Sequence, residues 1–147
     1  MSRPEAPSTT YIKPTLDTQF QIDPAWWEQS ERDLRVQMQQ LCEEHGKLAE
    51  DDIESDETVD WVDPETGEVS VVDRLAYIFL SSCSQQSEFI TERTSLIDAV
   101  FRALLATNNR PLTPVQLADR IGRPADMILR ALSGRRIYKG IRPVSSS

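Results

Sequence analysis

At 147 residues, with 39% hydrophobic and 27% charged content, the chain has room for one ordinary domain or for a small domain with an extension. It lacks any run of about 18 apolar residues, so no membrane span is expected, and Met1 to Thr10 lacks the apolar core of an export signal. Two cysteines, Cys42 and Cys83, are too few for a disulfide framework and fit a reducing, cytoplasmic compartment. The net charge of −8 conceals a split. Residues 1–92 hold 21 acids and 6 bases, a net of −15, whereas residues 93–147 hold 3 acids and 10 bases, a net of +7. Such asymmetry points toward nucleic acid or a charged partner.

Residues 1–15, with three of the nine prolines, read as a flexible arm. Residues 16–92 read as an acidic helix-hairpin-helix region. Thr18 to Ile22 alternates and places Phe20 and Ile22 on one face of a short strand. Asp23-Pro24 is a helix start: an acceptor side chain followed by a proline at the first position. The helix is expected to continue to about His45 and stop at Gly46, with Trp27, Leu34, Met38, Leu41 and His45 as its apolar stripe. Residues 50–68 hold ten acids and no base, so Glu50 to Thr58 is expected as a solvated loop. Asp63-Pro64-Glu65-Thr66-Gly67 predicts a hairpin turn between two short strands. Ser70 to Asp73 resembles a capping box opening a helix through Leu75, Ile78, Phe79 and Cys83. Ser84 to Thr94 reads as a polar linker.

Beyond the linker, Ser95 caps a helix with Leu96, Ile97, Val100, Phe101, Leu104 and Leu105 on its apolar face, and Asn108-Asn109-Arg110-Pro111 ends it. Thr113-Pro114-Val115-Gln116 is a capping box opening a short helix that ends at Gly122. A third helix starts at Pro124, buries Ile128, Ala131 and Leu132, and ends at Gly134. Leu117 to Leu132 resembles a helix-turn-helix: Ala118 permits close helix crossing, Gly122 tolerates a positive φ in the tight turn, and Ile128 closes the shared core. With the preceding helix, and Ile137-Tyr138-Lys139 as a strand, residues 95–144 resemble a winged helix-turn-helix domain. About ten residues remain for the wing, which is therefore short or absent; Arg135 to Val144 offers one strand kinked at Gly140 and pairing with Pro111-Leu112. The expected fold is mainly α with a small β hairpin, an α+β chain in which residues 93–147 form the three-helix unit and the acidic part is a helical extension.

The resemblance implies that the helix at 124–133 enters the DNA major groove. Its exposed positions Arg123, Ala125, Asp126, Met127 and Arg130 then face base edges. Arg123 and Arg130 suit guanine, and Asp126 suits cytosine. Arg120, Arg135, Arg136, Lys139 and Arg142 become phosphate contacts. The implied function is a DNA-binding protein, a transcriptional regulator or nucleoid-associated factor. The alternative is a non-enzymatic interaction subunit that uses the same domain as a docking module, favoured by the excess acid. In a combined reading, the acidic loop covers the basic face and imitates phosphate.

Other chemistries find little support. Cys42, His45 and Cys83 fall one ligand short of a closed zinc site, and both cysteines lie on apolar stripes. Asp60, Asp63, Glu65 and Glu68 lack the calcium-loop pattern. The chain has one histidine and no phosphate-cradling glycine loop, so neither an enzyme nor a cofactor is expected. Trp26 and Trp27 diverge by about 100° on a helix, so both cannot face one core. With Trp61 they are candidates for core packing or for a protein partner or homodimer contact.

Overall fold

The computed structural model describes residues 13–30, 33–45 and 48–144. The expected arm therefore lies mostly outside the described residues, although Pro14 is buried and Thr15 is tied to Thr18. The described chain is mixed α and β, with seven helices and two small antiparallel sheets. No described helix is long and apolar enough to cross a membrane.

Strand β1 (Phe20–Ile22) buries Phe20 and Ile22 completely, as its alternation requires. Helix α1 (Pro24–Gln29) follows, capped by the Asp23 carboxylate, which accepts from the Ala25 N–H. The single helix expected to run to His45 is two helices. The Ser30 N–H closes α1 on the Trp26 carbonyl, and Asp33 caps a second start by accepting from the Arg35 N–H, giving α2 (Leu34–His45). The break lets Trp27 and the Leu41–Cys42 face pack independently.

The acidic stretch also differs from the expected loop. Glu50–Glu54 forms a short helix, α3, with three acids in its first turn, where negative charge is favoured by the helix dipole. Arg74 then pairs with Asp52 at 2.9 Å and Glu57 at 3.4 Å. These contacts offset part of the repulsion that argued for an extended chain.

The hairpin forms as expected from strands β2 (Thr58–Val62) and β3 (Val69–Asp73), with Trp61 opposite Ser70 and Gly67 at φ +77°. Ser70 lies within β3, so the proposed capping box does not form. Asp73 itself caps α4 (Arg74–Ser81), accepting from the Ala76 N–H. Cys42 and Cys83 form a disulfide, correcting the expectation of reduced cysteines; the Cα atoms are 5.1 Å apart and both residues are buried. Each cysteine does lie on an apolar stripe, and the two stripes face each other. The supposed linker is packed: it begins with a 3₁₀ turn, Cys83–Gln85, and buries Phe89 edge-on against Phe79.

Helix α5 (Leu96–Ala106) starts at the Ser95 cap and buries six of its residues. Asn108 and Asn109, both at positive φ, turn the chain after it. Helix α6 (Pro114–Ile121) has the expected reciprocal Thr113–Gln116 capping box and stops at Gly122, whose φ of +70° would be strained for any side chain. Helix α7 (Ala125–Leu132) follows Pro124 and buries Ile128 and Leu132.

The last strand is displaced from the expected 137–139 segment. Lys139 and Gly140 both have positive φ, and the Ile141 N–H bonds the Tyr138 carbonyl, so these residues form a tight reversal. Strand β4 is Ile141–Pro143, and it pairs with β1 instead of Pro111-Leu112. Leu112 bonds the other edge of Phe20. Strand β1, with Phe20 and Ile22 buried, thus occupies the slot between them, secured by Asn109, whose side-chain amide bonds both the N–H and the C=O of Ile22 at 2.7 Å. One buried cluster runs from Phe20 and Trp61 through Phe101 and Leu104 to Ile128 and Ile141, crossing the expected boundary at residues 92 and 93.

Candidate nucleic-acid interface

The surface begins with α7. Its buried positions are Ile128 and Leu132, so the 100° step turns Asp126, Met127 and Arg130 outward. Met127 is 44% exposed, and the Arg130 side chain is 77% exposed. Arg130 lies 3.6 Å from Asp126 one turn earlier, an exposed pair worth only a few tenths of a kcal/mol. Ala125 is half-buried at the start of the helix. After the helix, Arg135 and Arg136 are both exposed, with Arg136 lying 5.2 Å from the Tyr138 ring. Arg130, Arg135 and Arg136 therefore lie within two turns of chain on or just after α7.

Arg123, Lys139, Arg142 and Arg120 are tied to residues far from them in the sequence. The Arg123 guanidinium donates to the carbonyls of Thr91, Glu92 and Thr94, the last at 2.5 Å, and fastens the turn preceding α5. This geometry differs from the expected guanine-reading position, because the bent loop before Ser95 presents three carbonyls to one guanidinium. Lys139 pairs with Asp98 at 2.7 Å and lies 5.1 Å from the Phe101 ring. Arg142 faces Asp23 at 3.4 Å, and its buried Nε lacks a well-directed hydrogen bond.

Arg120 bonds Glu65 of the hairpin turn. Arg110, which the sequence did not single out, donates at 2.6 Å both to Asp63 and to Glu65. The acidic and basic parts therefore do meet, at the hairpin turn and at Asp23, and among the described ion pairs not through the segment at 50–58. Asp63 is buried, which alone would raise its pKa; the Glu65 N–H and the Arg110 guanidinium outweigh that and hold it below the ordinary carboxylate value. Hydrogen bonds from Arg110, against the opposing effect of burial and with Arg120 assisting, lower Glu65 as well. The same pair raises Arg110.

The tryptophans divide as their spacing requires. Trp27 is buried against Phe101, and its indole N–H donates to the Lys139 carbonyl at 2.9 Å. Gly140 makes that contact possible, since a Cβ there would lie 3.1 Å from Trp27 Nε1. Trp26 is half-buried and packs edge-on against Trp27. Trp61 is buried on the inner face of the hairpin. Trp27 and Trp61 accordingly contribute to the core.

No family model, curated protein or solved structure matches the chain.

Proposed function

We propose that this is a non-enzymatic DNA-binding protein, a transcriptional regulator or nucleoid-associated factor, that places α7 in the major groove. On this reading α5, α6 and α7 act as a winged helix-turn-helix whose wing is reduced to the Lys139-Gly140 reversal. Asp126, Met127 and Arg130 meet base edges, while Arg135 and Arg136 meet phosphates. The observation that carries the reading is the outward face of α7, which offers Met127 and Arg130 beside two further exposed arginines. Arg120, Arg123, Lys139 and Arg142, less exposed and paired with distant parts of the chain, add to the local field and take a smaller part in contact.

The test is titration of the intact protein with labelled duplex across a salt series. Binding should weaken steeply with salt, and Arg135→Ala should reduce the slope by about one phosphate contact. Arg130→Ala should relax discrimination at one base pair by about 1–3 kcal/mol. Absence of salt-dependent duplex binding would reject the reading in favour of a protein-docking subunit. That second reading has its own observation: Arg120, Arg123, Lys139 and Arg142 are held against distant parts of the chain.

A further inference from the structure

A groove of about 650 Å³ lies beside the hairpin, and its lining identifies which side. It takes six consecutive residues, Asp60 to Glu65, from β2 and the turn, and none from β3. The opposite wall is formed by Tyr77 and Leu80 of α4, Phe89, and Ala103 and Ala106 of α5. Since β2 pairs only with β3, the groove follows the unpaired edge of the sheet.

The ladder fixes which backbone groups face it. Asp63 donates to Glu68 at 2.8 Å, so the directly bonded pairs fall on odd-numbered residues of β2. The N–H and C=O groups of Asp60 and Val62 then point away from β3. Among the described residues, no backbone hydrogen bond outside the ladder uses them. Val62, Val69 and Val71 are 56%, 59% and 68% exposed, with Val62 and Val69 directly opposite one another. An open edge bordered by an apolar floor and an exposed valine face is the arrangement that strand addition uses.

We propose that this edge receives an extended partner segment of alternating apolar and basic residues, pairing with Asp60 and Val62 as a third strand. Alternation suits the floor of Leu80 and Phe89 on one side and Asp60 on the other. Charge selects the occupant. Of the ten acids between residues 50 and 68, Asp52, Glu57, Asp63 and Glu65 are held by Arg74, Arg110 and Arg120; the other six, Asp60 among them, keep the segment negative, so it attracts a cationic strand and repels the same edge of a second copy. The site is separate from α7 and does not depend on the DNA reading.

The probe is an end-blocked octapeptide of alternating valine and lysine, titrated calorimetrically into the intact protein, with amide shifts followed by NMR. Binding should be saturable, with shifts concentrated at Asp60 to Glu65. Methylating alternate peptide nitrogens should abolish it, and Asp60→Lys should weaken it about tenfold. Asp60 is exposed, so unchanged circular dichroism and Tm would show that the variant folds. Absence of binding to the unmodified peptide would overturn the proposal. Undiminished binding of the methylated peptide would also overturn it, leaving charge attraction alone. A concentration-dependent dimer that loses association in Asp60→Lys would assign the edge to a second copy and overturn it equally.

Discussion

Two parts of this chain are held together by different forces. In α5, α6 and α7 stability comes from apolar burial: α5 alone buries Val100, Phe101, Leu104 and Leu105, and α6 and α7 add Leu117, Ile121, Ile128 and Leu132. In the hairpin and the chain around it, Trp61 is the one large side chain that β2 and β3 bury. Ion pairs and a covalent link supplement it. Arg35 holds Asp73, Arg74 holds Asp52 and Glu57, Arg110 and Arg120 hold the turn, and the Cys42–Cys83 disulfide closes the loop. A hairpin that buries so few of its apolar residues cannot rest on burial alone, and its carboxylates become the means of attachment. The difference predicts that the two parts respond to different insults.

The largest effect is expected where the parts share a core. Phe20→Ala should cost about 4 kcal/mol, because a fully buried ring is removed from between Leu112 and β4. Urea unfolding measures it, and a cost below about 1 kcal/mol would mean that β1 is not part of the core. Next, replacing both cysteines by alanine, or reducing them, should cost about 3 kcal/mol, since the disulfide closes a separation of 41 residues. Hydrogen exchange should then speed up in the hairpin more than in α5. Uniform acceleration would erase the proposed contrast.

Arg110→Met should cost about 2 kcal/mol at neutral pH by leaving the buried Asp63 carboxylate unpaired. It also has a pH signature. Asp63 and Glu65 titrate below their unfolded values of about 4, so their contribution is present above that pH and is lost as pH falls through the folded values. Protonating Asp63 no longer breaks a pair in the variant, so its acid limb should flatten. A wild-type acid limb in Arg110→Met would show that the clamp does not stabilise the turn. The smallest effect is Gly140→Ala, about 1 kcal/mol from the positive φ and the approach to Trp27. It should be visible as a change in Trp27 emission, and unchanged emission would mean that the reversal adjusts without moving the indole.

The same contrast explains what could be read from the sequence. The helices from Ser95 to Leu132 announce themselves locally, through the Ser95 cap, the Thr113–Gln116 box and the turn at Gly122. The Asp63-to-Gly67 turn is equally local. The missed features are contacts between distant residues. Nothing near Cys42 specifies Cys83, and nothing near Ile141 specifies Ile22. Arg123 was assigned by its place in a motif, yet the carbonyls that hold it lie in a loop with no motif of its own. Residues of the α7 face were legible because helical periodicity alone turns them outward. Arg110 became visible only when the hairpin met it, since a lone arginine after two asparagines carries no signal.

The position of β1 bears on the order of assembly during synthesis. Phe20 and Ile22 leave the ribosome long before their strand partners, Ile141 and Pro143, are made. Until then β1 can bond only the Phe20–Leu112 edge and the Asn109 side chain, leaving two large apolar residues partly uncovered. The nascent chain must carry that exposed strand while most of its helices form. Closure of the small sheet is thus a late and non-local step, and a slow phase reported by Trp27, whose indole bonds Lys139, should mark its completion.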